Sequence, residues 1–328
     1  MTTKRPYDGL DPSTMLNMVE AAGFLCTGKI NPLNSYENRV YEIGVEDAEV
    51  ENVVAKFYRP GRWSKEQIQE EHDFLAELVA VGIDVIAPLE KDGRTLFEDS
   101  GFYYCVFPKR GGYPVELTEP EEFRRMGRMI AAIHNVGSQK PYQHRQPLTV
   151  DTYGWNSLKH TMDSGMVPEE LREGLEGTTK VLLQKAEAAW DQRQFTLRTH
   201  TDCHLGNVLE DENFILLDFD DSAAAPAVQD LWMFTSGERE EAAQQLKHLL
   251  DGYTIMREFN YEELSLIEAL KSLRMIRYTG WIAQRWDDPT FQKNFAFFTT
   301  PNFWATYLNS LKEQIWLMDE PYTLPSLY

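Results

Sequence analysis

The pattern of apolar residues changes about one third of the way along this 328-residue chain, and the change restricts the folds open to it. Up to residue 108, short strand-like runs surround one strong helical pattern. From residue 109 onward, helical spacing dominates. Strands and helices that are segregated in this way favour an α+β architecture. We therefore predict two lobes, a small mainly β lobe at 1–108 with one key helix and a larger mainly α lobe at 109–328.

Cap and strand signals locate the elements of the first lobe. A cap signal at Asp11 begins one helix, and Ser64 followed three residues later by Gln67 is a capping box that begins a second. Strand-like runs fall at 40–43, 53–58, 85–86, 95–97 and 102–107. The first two of these runs predict a β-hairpin.

Helical patterns with cap and turn signals between them fill the second lobe. They fall at 121–136, 168–189, 227–234, 240–253, 261–286 and 302–317. One short β-like pair interrupts them, at 207–209 and 213–218. We expect this pair to form a hairpin within the helical lobe.

Charge and composition exclude several classes of protein. A net charge of −20 repels nucleic acid and anionic membranes, so neither is an expected partner. No apolar stretch reaches the roughly 18 to 20 residues of a membrane helix, the first residues lack a signal-peptide pattern, and only three cysteines occur. These features predict a reduced protein of the cytoplasm. An anionic ligand such as a nucleotide would need a lysine or a divalent metal in this acidic chain.

Polar residues are densest around Asp202 and Asn207, and an apolar run ends soon afterwards at Asp218. Phosphoryl transfer requires a carboxylate that orients the attacking hydroxyl and oxygen ligands that hold Mg²⁺ on the phosphates. Asp202, Asn207 and Asp218 provide these groups. The pattern predicts a phosphotransferase that uses Mg²⁺ and ATP.

The spacing of five positions between Asp202 and Asn207 equals that of the protein-kinase catalytic loop. Together with Asp218 and Asp220, this segment resembles the signatures of the aminoglycoside phosphotransferase and choline kinase superfamily. The resemblance implies a protein-kinase-like fold in which Asp202 is the catalytic base. It also implies that Asn207 and Asp218 hold the metal, with Asp218 counted as catalytic and Asp220 as a further metal ligand. Thr201 stands where the family usually has glycine.

A kinase also needs groups that bind the nucleotide. Lys56, in the strand-like run 53–58, matches the lysine that contacts the α- and β-phosphates in kinases, although an alternating solvent-facing lysine would look the same. Glu71 on the following helix is expected to hold that lysine, with Glu70 as its competitor. Ser35 and Asn38 occupy the place of the glycine-rich phosphate loop, which this chain lacks.

Four further features have a structural and a functional interpretation. Val106 and its neighbours look like the hinge that pairs with adenine, or else an edge strand. Asp230 resembles a helix aspartate that braces the catalytic loop, and His134 is expected to be packed and not to act as an acid or base. The aromatic residues at 295–298 could line an acceptor site, but core packing is the preferred interpretation.

Longer stretches narrow the resemblance to a bacterial stress-response branch of the superfamily. They are residues 32–41, 56–60, 226–233 and 285–289. The similarity covers nearly the whole chain and implies a monomeric Ser/Thr protein kinase that phosphorylates itself. Spacing and composition do not identify the acceptor, so a protein hydroxyl and a small alcohol such as choline, homoserine or a sugar are both open.

Three other classes compete with the kinase interpretation. The run that ends in Asp218 and Asp220 resembles the motif of haloacid-dehalogenase-like phosphatases, but it arrives late and after a helical region. His200, Cys203 and His204 could form part of a zinc site. Thr201 and the missing glycine loop could mark an inactive nucleotide-binding regulator.

Overall fold

The computed structural model describes residues 5–46, 51–190, 193–320 and 322–325. The chain forms two compact units. Unit 1 comprises Met1–Glu116, Gln143–Arg145 and Leu205–Asp221, and unit 2 comprises Leu117–Tyr142, Gln146–His204 and Ser222–Tyr328. Strands concentrate in unit 1 and helices in unit 2, which confirms the α+β class. The boundary after residue 108 stays a prediction.

A five-stranded antiparallel sheet forms the body of unit 1. Numbered in chain order, the sheet and the two helices of this part are α1 (Pro12–Ala21), β1 (Cys26–Pro32), β2 (Arg39–Val45), β3 (Asn52–Phe57), α2 (Lys65–Ala80), β4 (Phe97–Asp99) and β5 (Phe102–Pro108). The strand order in the sheet is β1-β2-β3-β5-β4. The predicted hairpin is the β2–β3 pair, and β1 was missed. Asp11 caps α1, and the predicted capping box of Ser64 and Gln67 is present at the start of α2.

Unit 1 contains a second, three-stranded sheet formed by β6 (Tyr113–Pro114), β8 (Val208–Glu210) and β9 (Phe214–Leu216). The strand order in this sheet is β6-β8-β9. The predicted hairpin is therefore confirmed, although its strands belong to unit 1. Val85 forms only an isolated bridge with Leu216, so the strand predicted at 85–86 was wrong.

In its described residues, unit 2 is helical apart from one two-stranded pair. Its elements are α3 (Pro120–Gly137), α4 (Asn156–Asp163), α5 (Glu169–Trp190), β7 (Arg198–Thr199), β10 (Ala223–Ala224), α6 (Gln229–Trp232), α7 (Arg239–Met256), α8 (Ile267–Gln284), α9 (Pro289–Asn294) and α10 (Pro301–Asp319). The helix predicted at 261–286 begins as a 3₁₀ segment, Tyr261–Leu266, before α8. A π-helical segment (Val150–Trp155), α4 and α9 were missed.

Two glycines allow α3 and α7 to pack at backbone contact distance. A Cβ on Gly127 would lie 1.9 Å from the carbonyl oxygen of Leu249, and a Cβ on Gly252 would lie 2.0 Å from that of Arg124. Neither position can therefore carry a side chain without moving a helix.

The described residues contain long helices and three cysteines. Of the helices in the described ranges, none combines the length and apolar character needed to cross a bilayer. The three cysteines, all in described segments, are unpaired thiols.

Candidate active site

Lys56 lies at the centre of a buried charge cluster in unit 1. It is on β3, between β2 and β5, and is 6% exposed. Its Nζ lies 3.5 Å from Glu71 Oε1, 3.5 Å from Asp218 Oδ1 and 3.0 Å from Asp220 Oδ1. Burial alone would lower the pKa of Lys56, but these carboxylates outweigh it and raise the pKa. Lys56 is thus a fixed cation, and the alternative of a solvent-facing lysine is wrong.

Successive helix positions give Glu70 and Glu71 different partners. Glu71 is 1% exposed and contacts Lys56, and burial raises the pKa of Glu71 although Lys56 and Arg145 oppose the shift. Glu70 instead accepts hydrogen bonds from the three backbone N–H groups of Gln143–Arg145, at 2.5, 3.0 and 2.8 Å. Adjacent helix residues point about 100° apart, so only one of the two can face β3.

Arg145 joins this cluster although no sequence pattern indicated it. Its guanidinium donates to Glu71 Oε2 at 2.9 Å and to the carbonyl oxygen of Asp220 at 2.8 Å, while its Nε donates to the carbonyl oxygen of Gln67 at 2.8 Å. The guanidinium also lies over the ring of Trp63, 4.7 Å from the centroid. Arg145 therefore connects α2 to the segment that carries the acidic motif.

Asp220 is surrounded by cations. Besides Lys56, its carboxylate contacts Arg62, and it accepts a hydrogen bond of 3.2 Å from Asn38. Burial would raise the pKa of Asp220, but Arg62 and Lys56 outweigh it and lower the pKa to about 2. Asp220 Oδ2 accepts from Arg62 and Asn38, whereas Oδ1 lies 3.0 Å from Lys56 Nζ without a well-aligned hydrogen bond.

Asp218 has the opposite environment, because its side chain is 58% exposed whereas that of Asp220 is 5% exposed. The β8–β9 register pairs Val208 with Leu216, and the Leu217 N–H donates to the carbonyl oxygen of Asn207 at 2.8 Å. Asn207 and Asp218 therefore extend from the same end of the hairpin. An amide and a carboxylate are the oxygen donors that a hard cation such as Mg²⁺ accepts, so these residues fit the metal.

In unit 2, the loop before Asp202 is held by a buried aspartate. Asp230 accepts hydrogen bonds of 2.7 Å from the backbone N–H groups of both His200 and Thr201. His134 Nε2 lies 3.0 Å from Asp230, and His134 Nδ1 lies 2.9 Å from the hydroxyl of Tyr253 on α7. The predicted bracing role of Asp230 and the packed state of His134 are confirmed.

Thr201 adopts a left-handed backbone conformation, with φ +67°. Glycine takes this conformation freely, whereas a β-branched residue there costs on the order of 1–3 kcal/mol. The Thr201 N–H donates to Asp230, and the side-chain amide of Gln229 donates to the Thr201 carbonyl oxygen at 2.6 Å. Contacts at both the N–H and the carbonyl oxygen of Thr201 thus hold it in this conformation.

Asp202 itself lies between two basic side chains of unit 2. Arg274 Nη1 donates to Asp202 Oδ1 at 2.7 Å, and His204 Nε2 lies 3.4 Å from Asp202 Oδ2. Burial would raise the pKa of Asp202, but the hydrogen bond from His204 and the charge of Arg274 outweigh it and lower the pKa. Asp202 is therefore ionised at neutral pH. Arg274 was not anticipated from the sequence.

The three residues predicted to contact adenine or the phosphates differ in burial and in their hydrogen-bond partners. Asn38 is buried and donates to Asp220, and its Oδ1 accepts from the Arg59 N–H at 3.2 Å. Val106 is buried in β5, and its carbonyl oxygen accepts from the Leu89 N–H at 2.7 Å. Ser35 is partly exposed in the loop between β1 and β2. The nucleotide contacts of Ser35, Asn38 and Val106 stay predictions.

Core packing is confirmed for two of the C-terminal aromatic residues. Phe295 and Phe298 are buried, and Phe298 packs against Trp304 with ring centroids 4.8 Å apart. Phe297 is 39% exposed.

A zinc site receives no support. His200 accepts a hydrogen bond from the Asp202 N–H at 3.2 Å, and Cys203 is fully buried. Over the ranges that the structure describes, no three His, Cys, Asp or Glu side chains are grouped so that they could hold a metal ion.

Comparisons with known proteins also indicate a phosphotransferase. The profile of the phosphotransferase enzyme family, APH, matches residues 29–267. Serine/threonine protein kinase RdoA of Salmonella typhimurium strain LT2 is 35% identical over 315 residues, 96% of this chain and 95% of the relative. Stress response kinase A of Escherichia coli K12 has the same identity and coverage.

A solved structure extends the likeness to three dimensions. It is amicoumacin kinase hAmiN in complex with AMP-PNP, Ca²⁺ and Ami, with a TM-score of 0.72, 20% identity and coverage of 95% of both chains. The two-lobed kinase-like fold and the resemblance to bacterial stress-response kinases are confirmed. A haloacid-dehalogenase-like phosphatase is thereby excluded.

Proposed function

Since the chain belongs to the phosphotransferase enzyme family, we propose that it is an ATP- and Mg²⁺-dependent protein kinase that phosphorylates serine or threonine hydroxyls, its own included. The observation that carries the chemistry is the buried Lys56, held by Glu71 and in contact with the exposed Asp218. A permanently charged lysine beside an available carboxylate suits the binding of a metal-bound polyphosphate.

Lys56 would bind the phosphates of ATP in the position that Glu71 and Arg145 maintain. Its charge is retained at all physiological pH values because three carboxylates lie within 3.5 Å. Moving towards a phosphate exchanges one anionic partner for another, so the lysine need not be desolvated again.

Asn207 and Asp218 would hold Mg²⁺, which neutralises charge on the phosphates when it is bound. Asp218 is suited to this role by its exposure and Asn207 by its place at the same end of the hairpin. Asp220 is buried and contacts both Lys56 and Arg62, so we assign it chiefly to the fixation of Lys56.

Asp202 would accept a hydrogen bond from the acceptor hydroxyl, orient it for in-line attack and take its proton. The lowered pKa of Asp202 keeps it ionised and therefore able to accept. A carboxylate of low pKa is a weak base, so orientation is expected to be the larger part of its contribution.

The choice of a protein acceptor is supported by the relative named serine/threonine protein kinase, which matches 96% of this chain. The likeness to an amicoumacin kinase, at 20% identity, supports the fold and leaves a small alcohol as the second candidate. The cytoplasmic location and the monomeric state are also proposals.

The test is transfer of labelled γ-phosphate from ATP, with and without Mg²⁺, to the protein itself and to myelin basic protein. We expect labelling by the wild type and none by Asp202→Asn, which should still bind nucleotide. Asp211→Asn is the matched control, because Asp211 is exposed at the tip of the β8–β9 hairpin.

Three outcomes separate the alternatives. ATP binding without protein labelling would refute the protein acceptor and favour a small alcohol as the acceptor. Full activity of Asp202→Asn would refute its role as the base. Absence of ATP binding by the wild type would refute the kinase proposal altogether.

A further inference from the structure

Arg274 lies on a helix that is distant from Asp202 in sequence, and its cationic side chain contacts Asp202. It lies on α8, 72 residues after Asp202, and its Nη1 is 2.7 Å from Asp202 Oδ1. Its neighbours on the helix, Leu273 and Ile276, are buried, whereas the Arg274 side chain is 45% exposed. The fold thus anchors α8 through its apolar side and presents the guanidinium to solvent at the carboxylate.

Stability does not explain this placement. An ion pair as exposed as that of Arg274 and Asp202 contributes only about 0–1 kcal/mol. The chain has 18 arginines for 52 acidic side chains, so most carboxylates cannot have an arginine of their own. A specific pairing with the proposed base therefore calls for a functional reason.

The pairing occupies part of the carboxylate that is proposed to orient the acceptor hydroxyl. Arg274 contacts Oδ1 and His204 contacts Oδ2, so each oxygen already has one partner and keeps lone-pair capacity for another. A hydroxyl that takes the position of one of these groups displaces it. Arg274 is the one that can leave at little cost, because half of its side chain is in solvent.

The released guanidinium has a partner within reach. A hydroxyl bound to Asp202 lies about 3 Å from the carboxylate, and the phosphorus it attacks lies about 3–3.5 Å further on. The phosphorus therefore lies at most about 6–6.5 Å from the Asp202 carboxylate, a distance that one change of the Arg274 side-chain rotamer covers. A guanidinium binds phosphate oxygens in a bidentate manner.

We propose that Arg274 blocks Asp202 until an acceptor hydroxyl replaces it, and that the guanidinium then binds the oxygens of the phosphoryl group in transfer. The proposal rests on the function proposed for Asp202 and not on the size of the acceptor. The bond from the γ-phosphorus to ADP breaks as the bond to the acceptor oxygen forms, ADP keeps the electron pair, and Asp202 takes the proton. Arg274 transfers no proton and stabilises charge only.

Two consequences follow for the kinetics. Without Arg274, transfer to an acceptor slows because a cation at the phosphoryl group is lost. Water also takes the position of Arg274 at Asp202 Oδ1 in the absence of acceptor, so hydrolysis of ATP increases relative to transfer. A residue with only a structural role would change both rates together.

The experiment compares Arg274→Gln and Arg274→Lys with the wild type in acceptor phosphorylation and in acceptor-free ATP hydrolysis. We expect kcat for transfer to fall about 100-fold in Arg274→Gln and less in Arg274→Lys, with KM for ATP within about threefold. The ratio of hydrolysis to transfer should rise about tenfold or more. Arg277→Gln is the control, because Arg277 is on the same helix but lies over the ring of Tyr153.

Chemical rescue adds an independent test. Guanidinium chloride at millimolar concentration, far below denaturing levels, should restore part of the transfer rate of Arg274→Ala and none of that of Asp202→Asn. A transfer rate of Arg274→Gln within twofold of wild type, or an unchanged ratio of hydrolysis to transfer, would overturn the inference.

Failure of the proposed function has a different signature. An active Asp202→Asn would remove the proposed base and this inference with it, whereas an inactive Asp202→Asn beside a fully active Arg274→Gln would refute the inference alone. If the wild type labels choline or homoserine but no protein, the protein acceptor is refuted and the Arg274 series is measured with that alcohol.

Discussion

Replacing Arg145 with methionine should destabilise unit 1 strongly, because this arginine is the second cation of a buried cluster. Its side chain is fully buried and donates to Glu71, to the carbonyl oxygen of Asp220 and to that of Gln67. Methionine fills much of the same volume beside Trp63 and removes only the charge and the donors. The perturbation is therefore electrostatic and not a cavity.

The magnitude follows from what Arg145→Met leaves behind. Glu71 would remain buried with Lys56, at 3.5 Å, as its nearest cation. Breaking a buried ion pair by removal of one partner costs about 3–5 kcal/mol, and two carbonyl oxygens also lose a donor. Methionine removes the cost of desolvating a guanidinium, which offsets part of this. We expect the free energy of unfolding to fall by about 3–5 kcal/mol.

Urea denaturation followed by far-ultraviolet circular dichroism measures this loss, and hydrogen exchange of the α2 amides assigns it to unit 1. Arg124→Met is the control, since Arg124 is 35% exposed and pairs with Glu121 at the surface, where a loss below about 1 kcal/mol is expected. Adding Glu71→Gln to Arg145→Met should cost less than the two single changes together. An Arg145→Met loss no larger than that of Arg124→Met would refute the reasoning.

Three other variants test separate parts of the structure. The pKa of Asp220 is depressed to about 2, so its stabilising contribution is complete at neutral pH and is lost below about pH 4. Asp220→Asn should therefore flatten the decrease in unfolding free energy between about pH 4 and pH 2 in urea titrations. Asp230→Ala removes the acceptor of two 2.7 Å backbone bonds and should lower stability by about 3 kcal/mol or more and abolish label transfer. Gly127→Ala places a Cβ 1.9 Å from a carbonyl oxygen, so it should lower the melting temperature and reduce the unfolding free energy by about 2 kcal/mol or more. Gly177→Ala is the control and should change neither quantity, because a Cβ at Gly177 on α5 would lie in open space.

The sequence predicted those parts of the fold that depend on local signals. The capping box at Ser64 and the cap at Asp11 lie where the pattern placed them, because a cap is a contact between residues three positions apart. The π-helical segment Val150–Trp155 and α9 were missed, since neither has a long apolar period. The β8–β9 hairpin was predicted correctly, but its membership of unit 1 depends on pairing with β6.

In the candidate site, too, residues within a motif were predicted and residues that only the fold brings in were not. Spacing along the chain pointed to Asp202, Asn207 and Asp218, because the chemistry requires these groups close together on one loop and hairpin. It could not point to Arg145 or Arg274, which reach their carboxylates from 74 and 72 positions away. Such cations belong to no motif, and only the folded backbone brings them to their partners.

The two carboxylates of the D-x-D motif acquire different properties for the same reason. In sequence Asp218 and Asp220 are equivalent acids two positions apart. In the fold, Asp220 is enclosed by Lys56 and Arg62, while Asp218 takes a left-handed conformation, with φ +58°, and keeps its side chain 58% exposed. Aspartate tolerates that conformation better than most residues. The exposed carboxylate of Asp218 is open to a ligand from solvent although it also contacts Lys56, whereas the enclosed carboxylate of Asp220 is not. This difference is the reason for proposing Asp218 as the metal ligand and Asp220 as a group that fixes Lys56.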